Sequence, residues 1–204
     1  MTKLTLISPL LAAGCALARE PSQQTVMICA AMDRNSPGEL QLVVERAKIV
    51  ADQILSTAGV RINWRGHLAP CLGESVKAIQ ADLSWNTPPN LLPGALGYAT
   101  PFGDAYVRVF CDRIHQNIAT EREPYLLGHV LAHEVTHVLQ GTNFHSASGV
   151  MKAVWDFHEC RRMALHPLTF TGADIQLIRQ GLENRSEFRP ARRHAPVVEI
   201  VAIQ

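Results

Sequence analysis

The residues with the clearest chemical potential lie together in His133-Glu134-Val135-Thr136-His137, which has the form HExxH. On a helix, residues i and i+4 share a face about 6 Å apart along the axis, so both imidazoles can reach one ion. Zinc accepts imidazole nitrogens at about 2.0–2.1 Å. Glu134 falls beside such an ion, where it can take a proton from water and pass it to a leaving amine. The pattern predicts zinc (Zn2+) as cofactor, with His133 and His137 as ligands and Glu134 as general base.

A catalytic zinc needs a third protein ligand and one open coordination position. His145 is the candidate, because Gly141 lets the chain reverse after the helix and the next three residues carry it back. His158, or Glu159 in a gluzincin-type site, is the alternative third ligand.

Two further residues near the motif have possible supporting roles. His129 lies one turn before His133, and we expect a partly exposed polar residue, with a position behind the ligands as the alternative. Asp156 is a candidate to orient a ligand histidine, as carboxylates often do around zinc.

The string HEVTHVLQGTNFH and the following HSASGVM resemble the metzincin metallopeptidases, whose pattern is HExxHxxGxxH followed by a methionine turn. This string is one residue longer before the glycine and one after it, as in some secreted bacterial zinc peptidases. The resemblance implies that His133, His137 and His145 bind zinc and that Met151 supports the histidines from below. It also implies that Ala105–Cys111, the strand before the active-site helix, borders the cleft and pairs with extended substrate. Many metzincins have a tyrosine shortly after the methionine; this chain has Trp155 instead, so no tyrosine oxyanion donor carries over.

The surrounding pattern predicts the elements that position this motif. Pro124–Gln140 is a helix, and an earlier long helix starts at Ser36-Pro37-Gly38-Glu39, with Ser36 as cap, and stops at Gly59. The other expected elements are strands at Thr25–Ala31, Val60–Trp64, Ala78–Leu83 and Ala105–Cys111, a loop at Asn86–Gly97, a turn-rich segment at Thr142–Trp155 and a last helix at Ala173–Leu182.

Together these features predict an α+β, zincin-like domain over residues 19–182. A twisted mixed sheet packs on the HExxH helix and the preceding long helix, and the C-terminal part is helical. A flexible tail is expected over residues 183–204, which is rich in arginine and proline.

The N-terminus has the three parts of a signal peptide over residues 1–18: Lys3, a short apolar stretch, and the cleavage site Ala16-Leu17-Ala18. We therefore expect a secreted or periplasmic protein, with a lipoprotein anchored through Cys15 as the alternative. Removing these residues leaves an even set of cysteines, which favours two disulfides over buried free thiols. Sequence cannot choose the pairing; the four are Cys29, Cys71, Cys111 and Cys160.

Composition limits the class of protein. The 204 residues are 47% hydrophobic and 18% charged with a net charge of +1, which suits one globular core and disfavours nucleic-acid binding. No apolar run reaches the roughly 18–20 residues that span a membrane. We expect a monomeric, exported zinc metalloendopeptidase acting on a peptide or protein substrate. A non-catalytic zinc-binding or peptide-binding module is the alternative, which Glu134 disfavours because structural zinc needs no general base.

Overall fold

The computed structural model describes residues 23–66, 78–102, 105–187 and 199–203. The strands are β1 (Gln24–Met32), β2 (Val60–Gly66), β3 (Ile79–Ser84), β4 (Ala95–Thr100), β5 (Tyr106–Phe110), β6 (Val154–Trp155) and β7 (Glu199–Ile203). The helices are α1 (Leu40–Ser56), α2 (Cys111–Asn117), α3 (Glu123–Gln140), α4 (Phe157–Arg162) and α5 (Gly172–Glu187), with a 3-10 turn at Thr120–Arg122.

One mixed sheet has the strand order β2-β1-β3-β5-β4-β7-β6. Strands β2, β1, β3 and β5 are parallel, β4 runs antiparallel to β5 and β7, and β6 is parallel to β7. The mixed sheet, the HExxH helix and the preceding long helix confirm the predicted fold class.

The strand pairing corrects the expected role of Ala105–Cys111. Strand β5 is paired on both edges, by β3 and β4, so the expectation that Ala105–Cys111 can pair with substrate is wrong. Strand β4 is the next strand and is likewise paired on both edges, by β5 and β7. Its first residues fall in the predicted loop Asn86–Gly97. The prolines and glycines up to Gly94 indicate a loop correctly, whereas the strand that follows is fixed by pairing to distant residues.

Helices α1 and α3 pack closely in the core. A Cβ atom on Gly128 of α3 would lie 2.6 Å from Cβ of Val50 and 2.8 Å from the carbonyl oxygen of Ala47, so a glycine is needed there. Helix α1 begins at Leu40 with Glu39 at its N-cap and no side-chain cap, so the predicted capping by Ser36 is wrong. Packing against α3 stabilises α1 without that cap.

The described residues of the C-terminal part hold more secondary structure than predicted. Thr171 and Asp174 exchange hydrogen bonds at the start of helix α5, which continues to Glu187, beyond the predicted end at Leu182. Within the range expected to be a flexible tail, β7 also forms, because strands on both sides satisfy its backbone groups. Residues 1–18, with the predicted signal peptide and Cys15, lie outside the described residues.

The described cysteines do not support two disulfides. Cys111 and Cys160 are buried free thiols in the apolar core, where burial alone explains them. Cys71 lies outside the described residues, so a disulfide that involves it stays a prediction. In the part of the chain that the structure describes, we find no helix with the length and apolarity to cross a membrane.

Candidate metal centre

Helix α3 places the HExxH residues inside the protein. His133, Glu134 and His137 have no exposed surface. The helix ends at Gly141, whose left-handed backbone (φ 62°) allows its N–H to bond to the carbonyl of His137. The chain therefore reverses at the glycine, as the sequence predicts.

Three imidazoles converge beyond this turn. The Nε2 atoms of His133 and His137 lie 3.0 Å apart. The His145 ring centre lies 5.2 Å from that of His133 and 4.8 Å from that of His137. One ring nitrogen from each residue lies within 4.8 Å of the others, a spacing that can hold a metal ion. The structure thus brings His145 to the two motif histidines.

Backbone carbonyls fix the tautomers of the two helical histidines. Nδ1 of His133 donates to the carbonyl of Val150 at 2.7 Å, and Nδ1 of His137 donates to the carbonyl of Thr142 at 3.1 Å. In the neutral rings, both Nε2 atoms therefore present lone pairs to the space they share. These carbonyl partners were not foreseen, because the return of the chain to the helix is a tertiary contact.

Burial keeps these rings neutral. It lowers the pKa of His133 well below its usual range, helped by the nearby His137, despite the opposing bond to Val150. Burial, with His145 nearby, also lowers the pKa of His137 to about 4. Metal binding requires deprotonated imidazole, so the rings are ready to bind an ion at neutral pH.

This donor set fits zinc. Two lone pairs 3.0 Å apart repel each other unless a cation lies between them. Tetrahedral zinc with bonds of about 2.0–2.1 Å places two ligand nitrogens about 3.3 Å apart, close to the observed separation. Three imidazoles also leave a fourth position open, as catalytic zinc sites do.

Glu134 lies between α3 and the sheet. A Cβ atom on Gly97 of β4 would lie 3.1 Å from Oε1 and 3.2 Å from Cγ of Glu134, so the glycine makes room for this side chain. Sequence reasoning missed Gly97. The sequence does contain an indication of this role, because Gly97 precedes a strand-forming Tyr-Ala-Thr stretch. A glycine inside a strand often marks a place where another group approaches the backbone closely.

The alternative third ligands lie outside this cluster. Oε2 of Glu159 accepts hydrogen bonds from Nζ of Lys152 at 2.7 Å and from the backbone N–H of Asp156 at 2.8 Å. His158 is exposed on α4. Neither residue is one of the three whose ligand atoms lie close enough together to share an ion.

Asp156 does not orient a ligand. Its carboxylate caps α4 by accepting from the N–H of Glu159 at 2.8 Å. The expected role is wrong because the Nδ1 atoms of the helical histidines already donate to carbonyls.

His129 is buried, so the expectation of a partly exposed residue is wrong. Its Nδ1 donates to the carbonyl of Tyr125 at 2.7 Å, and its Nε2 accepts from the N–H of Leu168 at 3.0 Å. Burial lowers its pKa to about 4. The ring of Trp155 lies between His129 and the metal centre and meets both histidine rings edge-on. Its centre is 6.3 Å from that of the His129 ring and 5.6 Å from that of the His133 ring.

Met151 is fully buried next to the centre. Its carbonyl accepts from the N–H of Ser146 at 2.8 Å, and the preceding residue, Val150, holds the His133 ring. The turn is therefore tied to the helix through its backbone, and the packing of the Met151 side chain beneath the histidines stays a prediction.

Comparison with known proteins gives a likeness of structure. The sequence matches no protein-family model and no curated protein sequence. The solved structure of archaemetzincin from Methanopyrus kandleri is similar, with a TM-score of 0.54 and 16% identity over 78% of this chain and 96% of that one. At 16% identity this similarity is evidence for the fold alone, and it shows that the chain has a zincin-like fold.

Proposed function

We propose that this protein is a zinc-dependent metallopeptidase that hydrolyses peptide bonds. The observation that supports this most is the convergence of His133, His137 and His145, with the buried Glu134 next to His133 in the chain. A structural zinc site is typically closed by four protein ligands and has no use for a buried carboxylate beside it.

In this proposal the three histidines hold the ion through ring nitrogens, and burial keeps the rings of His133 and His137 unprotonated. Zinc bound here supplies a Lewis acid that polarises a carbonyl and lowers the pKa of water. Glu134 accepts the proton of the attacking water and returns it to the leaving amine. The carbonyls of Val150 and Thr142 keep the His133 and His137 rings in the binding tautomer throughout.

We further propose that the protein is exported and acts as a monomer on peptide or protein substrates. The signal-peptide pattern of residues 1–18 supports export to the periplasm or medium, with lipid attachment at Cys15 as the alternative. Mass spectrometry of the protein from a bacterial host decides this. A mature chain beginning at Arg19 supports cleavage after Ala18, and a lipidated Cys15 supports the alternative.

The test of catalysis compares the mature chain with Glu134→Gln, using peptide-library cleavage and zinc content. We expect the variant to retain zinc and to lose at least a hundredfold in kcat/KM, because general acid–base catalysis typically contributes 10²–10⁴-fold. Glu121→Gln, the same change at an exposed residue, is the matched control. Equal cleavage by Glu134→Gln and the parent refutes the assigned base.

The ligand set is tested separately by metal content. His145→Ala should bind zinc more weakly than the parent, whereas His166→Ala, a change at an exposed histidine, should not. Zinc content of His145→Ala equal to the parent would point to His158 or Glu159 as the third ligand.

A further inference from the structure

Strand β7 lies in a gap between two other strands near the metal centre. It runs antiparallel to β4, with Glu199 opposite Ala99 and Val201 opposite Gly97. On its other side it runs parallel to β6, with Ile203 opposite Trp155. A single extended segment therefore joins β4 and β6 into one sheet.

Both neighbours of β7 contact the centre directly. Gly97, opposite Val201, lies against the Glu134 carboxylate, and the Trp155 ring, opposite Ile203, meets the His133 ring edge-on. Strand β7 also contacts helix α3 itself. The backbone of β7 thus passes between the strand beside the candidate base and the strand beside a candidate ligand.

The gap accepts one extended chain. Neighbouring strands lie about 4.8 Å apart, so β4 and β6 stand roughly 10 Å from each other with β7 between them. Each offers β7 an edge of backbone N–H and C=O groups. Such edges bind extended peptides by strand addition, in which main-chain hydrogen bonds supply affinity with little demand on sequence.

We propose that the gap between β4 and β6 is the peptide-binding channel of this protein and that residues 199–203 fill it as an intramolecular ligand. An extended peptide from outside binds antiparallel to β4 only when β7 leaves. The C-terminal strand therefore competes with substrate. The inference of competition with substrate rests on the proposed function; the inference that the channel binds peptides does not.

Peptide binding is measured in the full chain carrying Glu134→Gln, so that turnover plays no part. The probe is a fluorescent peptide with the sequence Glu-Ile-Val-Ala-Ile, that of residues 199–203. In one variant Ile200→Pro and Val201→Pro remove two consecutive N–H groups from β7. In the matched control His194→Pro and Ala195→Pro add two prolines N-terminal to residues 199–203.

We expect the Ile200→Pro/Val201→Pro variant to bind the probe at least tenfold more tightly than its parent, since an internal competitor has an effective concentration near millimolar. The control should bind like the parent. Equal affinity in all three proteins overturns the proposal. Because no cleavage is measured, a protein without peptidase activity can still pass this test.

Hydrogen exchange on the chain carrying Glu134→Gln alone gives a second readout that does not depend on folding of the proline variants. Adding the unlabelled peptide should raise amide exchange of residues 199–203 while β4 stays protected, because one strand replaces another. Peptide binding that leaves the exchange of residues 199–203 unchanged contradicts the shared channel.

Discussion

Gly97→Ala is the sharpest test of how the sheet positions the candidate base. The added Cβ would lie 2.9 Å from the carbonyl oxygen of Arg108 on β5 and 3.1 Å from Oε1 of Glu134. Ordinary contacts begin near 3.4 Å. Relief therefore needs both a shift of roughly 0.5 Å between β4 and β5 and a shift of roughly 0.3 Å of the Glu134 side chain, as for other overpacked sites.

This crowding should affect catalysis more than metal binding. A misplacement of about 1 Å can cost about a hundredfold in rate, so we expect kcat/KM to fall about tenfold for this smaller shift. Overpacking should also lower the free energy of unfolding by about 1–3 kcal/mol. Zinc content should stay at the parent level, because the carbonyls of Val150 and Thr142 hold the histidine rings without contact with Gly97.

The assay combines peptide-cleavage kinetics, zinc content and thermal unfolding of the same preparations. Gly172→Ala is the matched control, because a Cβ there meets nothing within 4 Å. Two results would refute the reasoning: full activity of Gly97→Ala, or a loss of zinc that accounts for the whole loss of activity.

Three further predictions concern the buried groups. The pKa of buried His129 is about 4, whereas an unfolded histidine has a value near 6.5. The unfolded chain therefore binds this proton first, and up to about 3 kcal/mol of stability, fully present above pH 6.5, is lost as the pH falls towards 4. Denaturant midpoints between pH 7.5 and 4.5 should show a smaller fall for His129→Gln, and equal falls would contradict the assignment. Burial raises the pKa of Cys111 and raises that of Cys160 to about 12, so iodoacetamide should label neither thiol before unfolding, as mass spectrometry can check. Zinc removal by a chelator should lower the melting temperature and zinc addition should restore it, since binding at 1,000 times Kd stabilises by about 4 kcal/mol. A melting temperature that is the same with and without zinc would argue against the metal centre.

The sequence predicts the local elements of this protein well. The four-residue spacing of His133 and His137, the stripe of leucines and valines around them and the stop at Gly141 all describe one helix, which forms at Glu123–Gln140. These signals are readable because a helix is built from contacts three and four residues apart.

Tertiary structure decided the parts that connect distant residues. The pairing of β5 on both edges, the carbonyls that hold the histidine rings, the space at Gly97 for Glu134 and the pairing of β7 all depend on residues far apart in the chain. Strand pairing is fixed by neighbours on both edges rather than by the strand's own residues, and for that reason a tail that looks flexible in the sequence forms a strand beside the centre.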